Sequence, residues 1–233
     1  MADFVKTPPV EREVWKEAAS LAEQYHDFHM LVRICEETGN KEKLEGYMEK
    51  FASEDFSSHV YAWYVKEGKQ SRLLSLAKPG QARPDLSSFL SSHSSISWLH
   101  DIHTGKHAEA SATLHQLAVR ETEALARRKT QLSLAKLTIL ASGEAEAEVT
   151  RRLFQIENEM KLIAAQEQLP SCVLRQFGFD RESMRVLTAR EMIELYIGDE
   201  NTEADYIDFK KALDLLGFAS LEEEDRQSVW LHI

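Results

Sequence analysis

Histidines are the side chains of this sequence whose spacing could support chemistry. His100 and His103 are three residues apart, His103 and His107 are four apart, and His93 is nearby. Such spacings place imidazoles on one helix face, but a zinc site needs three or four ligands, and no cysteine or ordered carboxylate set accompanies these. Gly105 should separate His103 from His107 by ending a helix. We therefore predict no metal and interpret the histidines as solvated or capping side chains near helix C-termini, where the dipole favours a cationic ring.

Motifs of the common enzyme classes are missing from the sequence. It contains no G-x-x-x-x-G-K-[ST], no G-x-G-x-x-G and no G-x-S-x-G. Cys35 lies on the apolar stripe of its predicted helix, where a buried thiol is inert. We predict no catalytic residue and no cofactor. A helical metal-dependent enzyme that uses His100 and His103 is the remote alternative.

The elements that must position these side chains are predicted to be helices. Nine glycines and five prolines in 233 residues are few turn formers, whereas a strand-rich sandwich needs a turn every ~8–12 residues. Apolar residues instead recur at helical spacing. Short helices joined by tight turns must each bury one apolar stripe against a neighbour. The predicted fold class is all-α, an irregular α-solenoid of antiparallel helices.

Charge and hydropathy restrict the partners of the chain. The net charge of −11 argues against general binding to nucleic acid or to an anionic membrane. No apolar run reaches 18 residues, so no transmembrane helix is predicted. Arg127, Arg128 and Lys129 form a local basic run that a nucleic-acid patch could use, but we interpret it as the solvated face of a helix. Cys35 and Cys172 lie in separate segments, which indicates no disulfide framework and fits a reducing compartment.

The domain plan follows from the predicted helices. Residues 1–9 form an N-terminal tail, 10–76 a first helical block, 77–88 a loop, and 89–233 a second helical block that ends on an apolar, apparently truncated terminus. Helices are predicted at 10–25, 28–37, 41–51, 55–67, 71–76, 86–91, 95–103, 106–142 with a break near Glu121–Thr122, 144–168, from the capping box Thr188-x-x-Glu191, and at 203–216. Residues 171–187 are predicted to be irregular, and Ser220-x-x-Glu223 is a further capping box.

Two of these helices carry specific core predictions. In the first, the apolar stripe consists of Val14, Ala18, Leu21, Ala22 and Tyr25. In the helix at 203–216, the inward residues are predicted to be Ile207, Leu213 and Leu216, with Gly217 as the C-cap.

The helix predicted at 55–67 carries more apolar surface than one core face can use. One stripe is formed by Phe56, Val60, Trp63 and Tyr64, while Tyr61 and Val65 lie on a different face. Either the helix is interior and contacts neighbours on both sides, or it exposes an aromatic patch of the kind enriched at protein interfaces. On the second interpretation, we predict a protein-binding surface made of Tyr61, Tyr64, Lys66, Lys69, Leu73 and Leu74.

Several long blocks of the sequence resemble a known family. In order along the chain, they are ASEDFSSHVYAWYVKEGKQSRLLSL, FLSSHSSISWLHDI, RRKTQLSLAKLTILAS and VLTAREMIELYIGDENTEADYIDFKKALDLL. They are similar to the C-terminal helical domain of the nucleoporin 133 family, whose members belong to the Y-shaped complex of the nuclear pore's outer ring. The similarity runs from about residue 15 to residue 216. The sequence departs from the family in lacking its β-propeller and preceding helices, and in losing the pattern after about Glu224.

The resemblance implies a scaffold role without catalysis. Members of the family sit at the nuclear envelope (and at the kinetochore in mitosis), where they support nucleocytoplasmic transport, mRNA export and protein import. The early part of their domain contacts the C-terminal helical region of nucleoporin 107, and the matching segment here is roughly 41–76. Other Y-complex nucleoporins are indirect partners; nucleic acid and direct membrane contact are not expected. The alternative within the same class is a vesicle-coat or tethering-complex α-solenoid subunit.

Overall fold

The computed structural model describes residues 9–77, 83–180, 183–198, 201–202 and 204–218. Within these ranges every regular element is a helix and no strand occurs, which confirms the all-α class. The chain forms two compact units, one up to Ile96 and one from Ser97 onward. The predicted domain plan stays a prediction. The solenoid arrangement stays a prediction.

The two units share thirteen α-helices among the described residues. The first unit contains α1 Pro9–Gln24, α2 Phe28–Glu37, α3 Lys41–Lys50, α4 Phe56–Lys66, α5 Gln70–Leu74 and α6 Pro84–Ser91, with one 3-10 turn at Ala52–Glu54. Helix α7, Ser94–His103, begins in the first unit and continues into the second. The second unit contains α8 His107–Arg120, α9 Leu125–Leu140, α10 Glu146–Glu167, α11 Ser171–Gln176, α12 Ala189–Ile197 and α13 Tyr206–Phe218.

Helix starts follow the predicted caps. The carboxylate of Asp27 accepts from the N–H of Met30, which begins α2, and the side chain of Asn40 caps α3 by accepting from the N–H of Lys43. Side-chain oxygens at this position satisfy a backbone N–H that the first turn of a helix leaves without a partner. Gly39 adopts a φ of +64° just after α2, a conformation that costs glycine little. The caps of both helices are confirmed.

Other boundaries differ from the prediction. Helix α6 begins at Pro84, inside the predicted loop, because proline suits the first helical turn. A short helix, α11, lies within the segment predicted to be irregular. Helix α13 continues through Gly217, so its assignment as a C-cap is wrong. The break near Glu121 is confirmed, and the carboxylate of Glu121 accepts from the N–H groups of two residues that follow it. The capping box at Ser220 lies outside the described residues.

Only part of the predicted stripe of α1 is buried. Val14, Leu21 and Tyr25 are 59%, 56% and 74% exposed, so their assignment to the core is wrong. Ala22 is confirmed as buried, and Ala19, which lies outside the predicted stripe, is buried with it. Two alanines allow the backbone of α1 to approach α2 closely, because neither projects beyond its methyl group. The first core is built from the buried side chains of α2, α3, α4 and α6, among them Leu31, Leu44, Phe56, Val60, Leu86 and Leu90.

The core of the second unit lies among α8, α9, α10, α12 and α13. Its fully buried side chains include Leu114, Leu132, Ile139, Ile156 and Tyr196. In α13 the buried apolar residues are Ala212, Leu215 and Leu216. Ile207 and Leu213 are 43% and 41% exposed, so they were wrongly predicted to face inward, while Leu216 is confirmed.

Candidate protein-binding surface

The predicted protein-binding surface divides into a buried part and an exposed part. Tyr61 and Leu73 are 0% exposed and Tyr64 is 2% exposed. The interpretation of α4 as an exposed aromatic patch is therefore wrong for these residues, and the interior alternative is right. Lys66 is exposed, while Lys69 and Leu74 are half-buried, so these three side chains are what a partner can reach.

Buried tyrosine hydroxyls connect the helices of the first unit. Tyr61 donates to Oδ2 of Asp85 at 2.6 Å and thereby joins α4 to α6. Tyr64 donates to Oε1 of Glu36 at 2.8 Å and joins α4 to α2. A buried hydroxyl without such a partner would be costly. Burial, strengthened by the acceptor carboxylate, raises the pKa of both tyrosines. Sequence reasoning missed both acceptors, which lie 24 and 28 residues from their tyrosines.

Glu36 also organises the cationic edge of this surface. Its Oε2 lies 3.4 Å from Nζ of Lys69 and 3.9 Å from Nε of Arg72. The same Lys69 ammonium lies 4.8 Å from the ring centroid of Trp63, a favourable cation–π geometry. Lys69 is therefore held by the fold, whereas Lys66 projects into solvent. Lys66, Lys69 and Arg72 thus place three cations at this edge, beside the carboxylates of Glu36 and Glu67.

The structure separates the histidines of the predicted cluster. Helix α7 ends at His103, Gly105 adopts a φ of +82°, and α8 begins at His107, so the predicted separation of these histidines is confirmed. His100 is 1% exposed, and its Nε2 has no hydrogen-bond partner among the described residues. Burial lowers the pKa of His100, so its interpretation as a solvated, cationic ring is wrong. In the described part of the chain, no three histidine, cysteine, aspartate or glutamate side chains converge as metal ligands.

The burial of His100 predicts a loss of stability on acidification. Its pKa is lowered in the folded state, whereas the unfolded chain binds the proton near the ordinary value of about 6.5. Its stabilising effect is therefore present above that value and lost as the pH falls below it. We expect the urea midpoint to fall between about pH 7.5 and pH 5.5, and His100→Gln to reduce the fall. Identical slopes in the wild type and in His100→Gln would refute this explanation.

The basic run on α9 is engaged within the protein. Arg128 pairs with Glu159, and Nζ of Lys129 lies 2.8 Å from a carboxylate oxygen of Glu167, so both cations bind α10. The Arg127 side chain is 63% exposed, as expected for a solvated face, but the Arg128 side chain is only 14% exposed, which corrects that interpretation. Through these two ion pairs, the basic run joins α9 to α10.

The thiol of Cys35 is confirmed as buried. It is 3% exposed, and burial raises its pKa to about 11. A thiol with that pKa carries little thiolate at neutral pH and is a poor nucleophile.

Among the described residues, no helix has both the length and the apolar character that a membrane span requires.

The described residues form an all-helical protein in which the polar groups traced above tie helices together. The model of the family described as "Non-repetitive/WGA-negative nucleoporin C-terminal" matches residues 12–195, and the chain belongs to this family. Membership indicates a structural protein rather than an enzyme, and it confirms the resemblance to the nucleoporin 133 family.

Individual relatives agree with the family match. The "Nuclear pore complex protein Nup133" of Homo sapiens is 42% identical over 208 residues, which cover 89% of this chain and 18% of the relative. The protein of the same name from Danio rerio is 42% identical over 207 residues, with the same coverage of both chains. That of Drosophila melanogaster is 38% identical over 213 residues, covering 91% of this chain and 17% of the relative. The chain therefore spans less than a fifth of the length of these relatives.

Proposed function

We propose that this chain is a scaffold segment of the outer-ring Y-complex of the nuclear pore, located at the nuclear envelope. The observation that carries this proposal is its 42% identity to human Nuclear pore complex protein Nup133 over 89% of the chain. On this proposal it supports nucleocytoplasmic transport, including mRNA export and protein import, by holding neighbouring scaffold proteins together.

The direct partner in this proposal is the C-terminal helical region of nucleoporin 107, and the contact surface is the exposed edge of α4 and α5. Lys66 and Leu74 are accessible there, and Glu36 holds Lys69 and Arg72 beside them. The buried Tyr64 fixes the position of this edge through the same Glu36. A half-buried leucine beside a cationic rim suits an apolar anchor surrounded by acidic residues on the partner. Other Y-complex nucleoporins would be held indirectly.

Two substitutions test this surface against the C-terminal helical region of nucleoporin 107, by calorimetry for the affinity and by stopped-flow kinetics for the association rate. We expect Leu74→Ala to weaken binding by on the order of 2 kcal/mol, roughly 30-fold, if it is a central anchor. Lys66→Glu should act more weakly, mainly on the association rate and its salt dependence, because rim charges stay solvated.

The matched control for charge is Lys210→Glu, at an exposed position of α13 in the second unit, which should bind like the wild type. All variants must keep the wild-type melting temperature. If the wild-type protein does not bind the C-terminal helical region of nucleoporin 107, that partner is refuted. Wild-type affinity in both Leu74→Ala and Lys66→Glu would move the interface elsewhere.

A further inference from the structure

Helix α1 and Tyr25, the turn residue directly after it, carry an apolar stripe that the described part of the first unit leaves open. Val14, Leu21 and Tyr25 are 59%, 56% and 74% exposed, and Ala18, between them, is half-buried. The neighbouring face of the same helix is already occupied, because Ala19 and Ala22 are buried. The stripe is thus additional to the face that α1 uses for its own fold.

The spacing of the stripe indicates what shape can cover it. Residues 14, 18, 21 and 25 are separated by four, three and four positions, the spacing of the apolar seam in a coiled coil. Side chains so spaced form the holes that receive the knobs of one neighbouring α-helix. At 1.5 Å per residue the seam is about 17 Å long, or three helical turns. A single helix matches this shape better than an extended strand, whose side chains alternate with a period of two.

The charge beside the stripe indicates the chemistry of that helix. Glu13 and Glu17 are exposed, and on a wheel of 3.6 residues per turn they lie on the side of the stripe away from Ala19 and Ala22. A partner with lysine or arginine beside its apolar seam would complement them. A second copy of this chain would instead present the same acidic rim, which disfavours self-association through the stripe.

We propose that Val14, Ala18, Leu21 and Tyr25 form a docking seam for one amphipathic helix of a partner protein, with basic residues flanking its apolar stripe. The seam lies on α1 and on Tyr25 in the turn that follows it. It does not use the α4–α5 edge, so it stands independently of the proposed nucleoporin 107 contact.

A designed peptide tests the seam in the full chain. The probe is a peptide of about four heptads, with isoleucine and leucine at its seam positions and lysine at every flanking position, which also prevents it from pairing with itself. Fluorescence anisotropy should show binding to the wild type that Leu21→Glu weakens about tenfold or more. The matched control is Leu137→Glu, since Leu137 is 63% exposed on α9 of the second unit and the substitution changes the net charge equally. It should bind the peptide as the wild type does.

A charge reversal gives a second, independent arm. Glu13→Lys/Glu17→Lys should weaken binding of the lysine peptide and strengthen binding of a peptide with glutamate at the flanking positions. Equal binding by the wild type and Leu21→Glu would overturn the proposal, as would failure of the wild type to bind the lysine peptide. A dimer of the wild type that Leu21→Glu abolishes would also overturn it, because the seam would then belong to a second copy.

Discussion

Replacing Tyr61 by alanine is expected to destabilise the first unit by about 3–5 kcal/mol, the usual cost of deleting a large buried aromatic side chain. Tyr61 is 0% exposed, and its ring centroid lies 5.5 Å from that of Phe89 in α6. The truncation would leave a cavity between α4 and α6 that the rest of the core cannot fill. The lost hydrogen bond adds less, because the Asp85 side chain is 45% exposed and water can replace the hydroxyl.

Two companion variants separate these contributions in urea unfolding. Tyr61→Phe keeps the ring and removes only the hydroxyl, so its expected cost is about 1 kcal/mol. Tyr25→Ala deletes the same side chain from a position that is 74% exposed, and should change stability by less than about 0.5 kcal/mol. If Tyr61→Ala were as stable as Tyr25→Ala, Tyr61 would not be a core residue, and the interpretation of α4 as an exposed aromatic patch would be right. Otherwise, weaker partner binding by Tyr61→Ala reports unfolding and not a lost contact.

Helix ends could be predicted from the sequence because their causes are local. Asp27 and Asn40 each bond to an N–H three residues further along. Thr188 and Glu191 form the predicted reciprocal capping box, in which each side chain accepts from the backbone N–H of the other residue. All of the information lies within one helical turn, so neighbouring helices do not need to be known.

The choice of buried face could not be predicted in the same way. Helix α1 carries apolar residues on two adjacent faces, and both repeat with the helical period. Packing against α2 buries Ala19 and Ala22 and leaves Leu21 and Tyr25 outside. Likewise, the hydroxyl partners of Tyr61 and Tyr64 come from helices 24 and 28 residues away. Only tertiary structure decides which of two apolar faces is buried. In α4 it buries Tyr61 and Tyr64 and so removes them from the candidate binding surface.

The segment between α11 and α12 shows a further limit of sequence reasoning. It contains no regular structure from Ser183 to Thr188, yet its backbone is fixed to the surrounding helices. The carbonyl of Met184 accepts from the N–H of Leu125, and the N–H of Val186 donates to the carbonyl of Thr122. Gln166 of α10 bonds to the backbone of two further residues of the segment, Arg185 and Leu187. A glutamine in an amphipathic helix resembles a surface residue, and nothing local predicts that this one is 1% exposed.

Substitution of Gln166 is therefore also expected to lower the free energy of unfolding strongly. Its Nε2 donates to the carbonyl of Arg185 at 2.6 Å, and its Oε1 accepts from the N–H of Leu187 at 3.0 Å. Gln166→Leu fills the same space but leaves two backbone groups without partners. At about 1–3 kcal/mol for each group, the expected loss is roughly 2–6 kcal/mol of unfolding free energy. The control Gln168→Leu, two residues along at an exposed position, should change stability by less than about 0.5 kcal/mol.

A glutamate at this position tests the two hydrogen bonds by pH. In Gln166→Glu an ionised carboxylate can still accept from Leu187 but faces the carbonyl of Arg185, to which only a protonated acid can donate. Burial and this repulsion should raise the folded-state pKa of the new acid above its unfolded value of about 4.3. Its stabilising effect is then present at low pH and lost as the pH rises through the folded pKa. Relative to wild type at each pH, Gln166→Glu should thus regain stability on acidification, opposite in sign to the effect of His100. A stability deficit independent of pH would mean that the carboxylate escapes to water, and that the contact to Arg185 does not hold this segment.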